Sequence, residues 1–181
     1  MTLASGWCLL LIAGSGIAAQ PRHMESRKNE SSVTYRLVHP LHTIEATSKE
    51  VVFRLSLDPT KKEIAGVSAQ VDVMTFDSCN SNRDSHAMEV IDAISYPDAT
   101  FSGSAITQYG DSLRVDGTLT FHGVTKNIVV RATVHWSPKR LEVRGDWALS
   151  LTAFQVERPS LLMIPVEDTL RFSCTAVFGW E

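Results

Sequence analysis

The feature that most constrains this chain is an alternation of apolar and polar residues that recurs from Val51 to Phe178. A period of two is typical of β-strands that bury one face and leave the other in water. Short turns separate the runs, which indicates antiparallel pairing. The alternating runs lie at 51–57, 67–73, 101–105, 113–121, 128–136, 141–151 and 170–178.

A succession of such strands predicts an all-β fold, either a sandwich or an up-and-down barrel of about eight strands. Only the barrel removes the exposed edges of the sheet. The segment between Phe76 and Pro97 breaks the alternation. Residues 80–84 offer helix caps, and residues 87–93 place apolar groups at helical spacing. We therefore expect a short helix inserted between strands, closing one end of the barrel.

The N-terminus has the pattern of a secretory signal peptide. An apolar run at 7–13 is followed by small residues up to Ala19, and the run is too short to span a bilayer comfortably. A signal peptide over 1–19 is favoured over a retained anchor. Its removal leaves no stable membrane span and predicts a periplasmic or secreted protein. Polar residues at 20–32 predict a flexible lead-in, and residues 33–181 form the barrel domain.

Composition excludes some partners. The chain has 181 residues, a formal net charge of -3 and 20% charged residues, which suits one soluble domain after the signal. A nucleic-acid binder normally carries a basic patch, so no nucleic-acid partner is expected. A weakly acidic chain is also not drawn electrostatically to anionic membranes.

Two cysteines remain once the signal peptide, with Cys8, is removed: Cys79 and Cys174. An oxidising compartment permits a disulfide between them. The favoured alternative is two unpaired thiols, one of them buried as a small hydrophobic group.

The inward face of the predicted strands mixes large aromatic side chains with small residues. Glycine within a strand costs roughly 0.5–1 kcal/mol relative to alanine, so a row of small residues suggests that something else occupies the space. Barrels also alternate large and small residues to fill their taper, and a packed core therefore stays open as an alternative. The small inward residues are Ala69, Gly103, Ala105, Gly117, Ala132, Gly145 and Ala176.

Candidate catalytic and metal-binding residues are few. His39 and His42 are three apart, a spacing that sends them to opposite faces of an extended strand, so no metal site is expected. Asp84 and His86, with Cys79 upstream, superficially resemble parts of a nucleophilic triad. No nucleophile elbow accompanies them. No phosphate-binding loop is present either, and we expect no catalysis and no cofactor.

Several ordered motifs resemble the YceI-like family. Residues 73–86 read VMTFDSCNSNRDSH, and 94–101 read ISYPDATF. Residues 115–126 read VDGTLTFHGVTK, and 150–160 read SLTAFQVERPS. The resemblance covers roughly residues 35–178, and motifs in this order and spacing are far more specific than any one alone.

The resemblance implies an extended, antiparallel, lipocalin-like β-barrel with an apolar tunnel. It also implies binding of polyisoprenoids, isoprenoid quinones or long acyl chains by a periplasmic or secreted protein. The chain departs from the common family pattern at 39–51, which lacks a longer first hairpin, and at Cys79, where glycine is frequent.

Together these observations predict an exported carrier of a long apolar lipid without catalytic activity. Two alternatives stay open, a lipid hydrolase using His86 and Cys79 and a packed, stress-related binding protein. Both a monomer and a homodimer are compatible with the sequence. The residues predicted to contact the lipid are Val71, Val73, Phe101, Leu119, Phe121, Val130, Trp147, Leu149 and Phe172.

Overall fold

The computed structural model of the protein describes residues 21–180. The signal peptide predicted at 1–19 lies outside the described residues. The described chain forms a ten-stranded antiparallel sheet, a two-stranded ribbon and one α-helix, α1 (Ser81–Val90). The strands are β1 (Arg22–Glu25), β2 (Ser32–His39), β3 (His42–Ser48), β4 (Val52–Asp58), β5 (Glu63–Asp72), β6 (Asp98–Tyr109), β7 (Ser112–Phe121), β8 (Val124–Ser137), β9 (Arg140–Ser150), β10 (Ser160–Leu161), β11 (Ile164–Pro165) and β12 (Thr169–Gly179).

The large sheet has the order β1-β4-β5-β6-β7-β8-β9-β12-β2-β3. It curls into a lipocalin-like half-barrel, which confirms the predicted all-β antiparallel fold with a short inserted helix. The sheet has ten strands where about eight were expected. The alternating runs of the sequence became β4 to β9 and β12. The additional strands are β1 to β3. β1 and β3 carry few apolar residues, whereas β2 does alternate, with Val33, Tyr35 and Leu37 facing the core.

The predicted flexible lead-in at 20–32 is wrong for the part that the structure describes. Arg22–Glu25 form β1, which pairs with β4 along its whole length. The Arg27 N–H donates to the Val177 carbonyl at 2.7 Å, and Ser31 is only 1% exposed. A polar composition indicates that the side chains face water. It gives no information on whether the backbone pairs with a neighbouring strand at the edge of a sheet.

The two free ends of the sheet are joined by short contacts. Thr47 of β3 and Asp77, which follows β5, exchange backbone hydrogen bonds of 3.0 and 3.1 Å. The Arg27 N–H, two residues after β1, donates to the carbonyl of Val177 in β12 at 2.7 Å. Local bridges therefore close the barrel where the continuous strand ladder ends.

A β-bulge in β6 changes which residues face inward. The register with β7 shifts between Gly103 and Ala105, and an extra residue in one strand turns the following side chains over. Ala105, predicted to face inward, is exposed. Ile106 packs against the core in its place.

One end of the barrel is solidly filled. Leu57, Leu141 and Phe178 are 0% exposed there, and the Trp136 and Trp180 rings pack with centroids 6.2 Å apart. We call this end, which carries the β4–β5, β6–β7 and β8–β9 turns, the closed end. The opposite end carries α1 and the β2–β3 and β7–β8 turns, and we call it the helix end.

Replacing Ser31 with alanine should lower the free energy of unfolding by about 1–3 kcal/mol. The Ser31 Oγ accepts the buried Val177 N–H at 3.0 Å, and alanine leaves that donor without a partner. Urea unfolding measures the change. The control Ser112→Ala removes an exposed hydroxyl and should stay within about 0.5 kcal/mol of the parent. Equal effects of both substitutions would contradict a structural role for the segment before β2.

Candidate functional site

The barrel encloses a cavity of about 560 Å³, a size typical of ligand pockets in proteins. Its walls are mainly aliphatic and aromatic side chains from β2 to β9, β12 and α1. The alternative of a solidly packed barrel does not fit this interior. All nine residues predicted to contact a lipid line the cavity: Val71, Val73, Phe101, Leu119, Phe121, Val130, Trp147, Leu149 and Phe172. Their contact with a ligand stays a prediction.

A row of aromatic rings runs along one wall. Trp147 and Phe172 stack in parallel with centroids 5.1 Å apart, and Tyr35 meets Phe172 edge-on at 6.4 Å. Phe76 continues the row at 5.3 Å from Tyr35. The Trp147 Nε1 is buried with no hydrogen-bond partner among the described residues, so packing alone holds this ring. The row gives the cavity a continuous aromatic wall.

The inward glycines make room for neighbouring side chains. A Cβ on Gly117 would lie 2.6 Å from Phe101 Cζ, and one on Gly103 would lie 2.6 Å from Val67 Cγ1. Neither glycine lines the cavity, so the inference that a glycine row itself creates ligand space is wrong at these positions. Small residues that do line the cavity are Ala69, Ala132, Gly145 and Ala176.

The cavity opens at the helix end. His42, Asn82, His86 and Ser160 line it and are also exposed to solvent. These residues belong to β3, α1 and β10, so the mouth lies between α1 and the hairpins on the other side. A ligand has a route to the interior that does not require the sheet to open.

Helix α1 is fastened over the mouth by charged side chains. The Asp84 carboxylate accepts hydrogen bonds from the Ser78 N–H, at 3.2 Å, and from the Ser78 hydroxyl. The Arg83 Nε donates to Ser78 Oγ at 2.8 Å, and its Nη2 donates to the Ser78 carbonyl at 2.6 Å. Asn80 caps the helix by accepting the Arg83 N–H at 3.0 Å. These polar residues therefore have a structural role.

Tyr35 is a polar residue of the cavity lining near the contacts that Arg83 and Asp84 make with Ser78. Burial raises the pKa of its phenol, and the negative charge of Asp84 raises it further. Tyr35 therefore keeps its proton at neutral pH. Its hydroxyl can serve as a neutral hydrogen-bond donor in a mainly apolar cavity.

The triad-like residues do not form a catalytic arrangement. His86 is exposed, with its Nδ1 3.7 Å from Glu89 Oε2. The Cys79 N–H donates to the Asp77 carboxylate at 2.7 Å. No hydrogen bond joins His86 to Cys79 within residues 21–180, although a nucleophile and its base require such contact.

A second set of contacts at the helix end joins three of the motifs that resemble the family, those at 94–101, 115–126 and 150–160. Tyr96 packs edge-on against His122 with ring centroids 5.0 Å apart, and the His122 Nδ1 donates to the Phe154 carbonyl at 3.1 Å. His122 and Gly123 form a two-residue turn with φ values of 49° and 70°, the pattern of a tight hairpin. These motif residues shape the helix end.

The geometry of His39 and His42 differs from the expectation. Pro40 and Leu41 form a two-residue turn, so the two histidines are cross-strand partners with ring centroids 5.1 Å apart. A turn between them overrides the period-two rule that placed them on opposite faces. Both nitrogens of His39 are engaged within the protein. Within the described part of the chain, no group of three or more His, Cys, Asp or Glu side chains could hold a metal ion.

The two cysteines of the described region are unpaired, as the favoured alternative predicted. Cys79 is exposed, whereas Cys174 lines the cavity wall. Burial raises the pKa of the Cys174 thiol to about 11. It behaves as a small apolar side chain.

Within residues 21–180, no helix has both the length and the apolar character needed to cross a bilayer.

The fold and the cavity define a lipocalin-like antiparallel barrel with an apolar interior. The family model for the YceI-like domain, which describes the sequences of that family, matches residues 25–178 of this chain. The chain therefore belongs to the YceI-like family, as the motifs predicted.

Curated relatives match over most of their length. A UPF0312 protein of Pseudomonas syringae pv. tomato is 28% identical over 176 residues, covering 92% of this chain and 89% of the relative. Protein YceI of Salmonella newport is 26% identical over 164 residues, covering 86% and 84%.

Solved structures share the fold. Burkholderia cenocepacia BcnA superposes with a TM-score of 0.76 at 24% identity, covering 84% of this chain and 98% of that structure. A polyisoprenoid binding domain from Saccharophagus degradans, implicated in plant cell wall breakdown, gives 0.67 at 12% identity, covering 88% and 100%.

Gly123→Ala should destabilise the protein more than Gly110→Ala. Both glycines have positive φ, at 70° and 56°, which costs an alanine about 1 kcal/mol. A Cβ at Gly123 would also lie 2.5 Å from Tyr96 Cε1, whereas nothing lies within 4 Å at Gly110. Urea unfolding should show the difference, and a Tyr96→Ala background should remove it. A difference that persists in that background would contradict the role assigned to Tyr96.

Cys174 should alkylate far more slowly than Cys79. The thiolate is the reactive form, and with a pKa of about 11 only about one Cys174 in a thousand is ionised at pH 8. Mass spectrometry of Cys79→Ser treated with iodoacetamide should show a rate that rises steeply from pH 8 towards pH 11. Cys174→Ser, which keeps the exposed Cys79, is the control. Similar rates in the two variants at pH 8 would rule out a buried Cys174.

Proposed function

We propose that this protein is an exported, non-catalytic carrier that holds a long apolar lipid in its barrel cavity. The ligand class is a polyisoprenoid, an isoprenoid quinone or a fatty-acyl chain. The observation that carries the proposal is a continuous apolar cavity that opens to solvent at the helix end. A structural neighbour described as a polyisoprenoid binding domain supports it, and the signal-like pattern at residues 1–19 supports export.

Apolar burial alone accounts for useful affinity. Each buried methylene contributes about 0.8 kcal/mol, so about ten methylenes give roughly 8 kcal/mol. That corresponds to a dissociation constant near 1 μM before the costs of association are subtracted. A longer chain or an isoprenoid of several units offsets those costs. The carrier therefore needs no charged group to retain its ligand.

Tyr35 is the residue best placed to recognise a polar end of the ligand. Arg83 and Asp84 also line the cavity, but their hydrogen bonds to Ser78 occupy them. The protonated Tyr35 hydroxyl can donate to a lipid hydroxyl or carbonyl oxygen without placing a charge in the cavity. This favours a neutral head group over an ionised one.

Native mass spectrometry of the mature protein should detect a bound lipid in addition to the unliganded mass. A titration with geranylgeraniol, followed by tryptophan fluorescence, measures affinity directly because Trp147 stands in the cavity wall. No bound mass and no fluorescence change would exclude the carrier function.

Ala69→Leu should weaken geranylgeraniol binding about 30-fold. Ala69 lines the cavity, and the three added carbons displace roughly 2 kcal/mol of ligand burial. The matched control is Ala105→Leu, which adds the same atoms at an exposed position of β6 and should leave affinity unchanged. Thermal unfolding verifies that both variants fold. If Ala69→Leu binds as tightly as the control, the ligand does not occupy this cavity.

A further inference from the structure

An exposed apolar surface lies outside the cavity, on two turns at the helix end. Leu41 in the β2–β3 turn is 60% exposed, and Leu162 and Met163 in the β10–β11 turn are 74% and 95% exposed. Pro40, beside Leu41, is exposed as well. We call these four residues the apolar tip.

His39 joins the two turns. Its Nε2 donates to the Ile164 carbonyl at 3.0 Å, and its Nδ1 accepts the Leu41 N–H at 3.1 Å. A carbonyl can only accept and a backbone N–H can only donate, so Nε2 is the donor of the ring and Nδ1 is its acceptor. His39 is 3% exposed. The tip is therefore one unit built on a buried histidine.

The β10–β11 turn has a backbone that large apolar residues rarely adopt. Leu162 and Met163 have φ values of 52° and 63°, a conformation that normally selects asparagine or glycine. Their side chains face solvent, so packing within the described chain does not offset the free-energy cost of this backbone conformation. Backbone strain of this kind clusters at functional sites.

The tip borders the mouth of the cavity. His39, His42, Pro159 and Ser160, which flank the two turns, all line the cavity. Residues 159–165 contain no charged side chain. An uncharged, protruding apolar surface thus continues the apolar interior to the outside.

We propose that the apolar tip inserts into the surface of a lipid bilayer and places the cavity mouth against it. The purpose, exchange of lipid between bilayer and cavity, rests on the proposed function, whereas insertion of the tip does not. The tip has three large exposed side chains, far fewer than the 20–30 residues that each partner brings to a typical protein interface. Side chains on protruding turns suit insertion between lipids.

The charges near the tip predict how it binds. Glu157 and Arg158 precede the uncharged segment, and Glu167 and Asp168 follow it. The Arg158 guanidinium donates to the Val166 carbonyl. The outward-facing Arg36 and Arg171, cross-strand partners on β2 and β12, pair with Glu45 and Glu167. Apolar insertion therefore supplies the attraction. Binding should occur on zwitterionic vesicles and persist at high salt.

Flotation of the mature protein with phosphatidylcholine vesicles tests the proposal. Leu162→Ser/Met163→Ser should lower the partition coefficient at least about tenfold, because the inserted apolar area is removed. The control is Tyr109→Ser. Tyr109 is 89% exposed but lies in β6 beside the turn at the closed end, so its replacement should leave flotation unchanged. Raising the salt to 1 M should change the parent protein's partition less than twofold.

A geranylgeraniol titration without vesicles separates this proposal from the carrier function. The parent, the tip variant and the Tyr109 variant should bind the lipid equally. Equal flotation of the tip variant and the parent, or no flotation of either, overturns tip insertion. Release of the parent from the vesicles at 1 M salt also overturns tip insertion.

Sedimentation tests a second copy of the chain as the occupant of the tip. A parent dimer that the tip substitutions convert to a monomer would assign the tip to that second copy and also overturn the proposal. Failure of all three proteins to bind geranylgeraniol counts against the carrier function alone.

Discussion

The backbone ladder of the curled sheet is the constraint on which the rest of the structure depends. Nine consecutive antiparallel pairings fix the distance between opposite walls, so the apolar interior cannot collapse without breaking hydrogen bonds. Aromatic and leucine side chains fill the closed end. Further along, the cavity lies between walls of aliphatic and aromatic side chains that include small residues such as Ala69, Ala132 and Gly145. A cavity in this fold therefore follows from the size of the side chains on walls whose separation is already fixed.

The motifs that identify the family serve mainly to build the rim of this cavity. Ser78, Arg83 and Asp84 fasten α1, and Tyr96, His122 and Gly123 hold the neighbouring hairpin. Most of these polar atoms bond to other parts of the protein, which leaves them little capacity to bind a ligand. The wall residues beyond the motifs, such as Ala69 and Trp147, set the volume and shape that a ligand meets. Relatives can therefore share all the motifs and still differ in the shape of the cavity.

Alternation in the sequence predicted the central strands and the nine large residues that line the cavity, because the rule follows directly from the pleat of a strand. It failed where backbone hydrogen bonds form a strand from mainly polar residues, as in β1, which pairs with β4. It also failed where the register changes, at the bulge before Ala105 and at the turn between His39 and His42. The apolar tip was missed for a related reason. A short apolar segment looks the same in sequence whether it is buried or exposed, and only the fold distinguishes the two.

A cavity that holds a lipid tightly creates a difficulty for a carrier, because every methylene that strengthens binding also slows release into water. Transfer from an apolar cavity to an apolar bilayer involves little change in hydrophobic free energy, since both environments exclude water from the chain. The barrier is therefore the passage between them. An uncharged rim that meets lipid tails directly shortens that passage, whereas a charged rim would keep a layer of water at the mouth. The mouth of this barrel has both kinds of rim. Polar side chains of α1 lie on one side, and the turns anchored by His39 lie on the other. In the carrier that we propose, this asymmetry offers the lipid chain an apolar side along which it can leave.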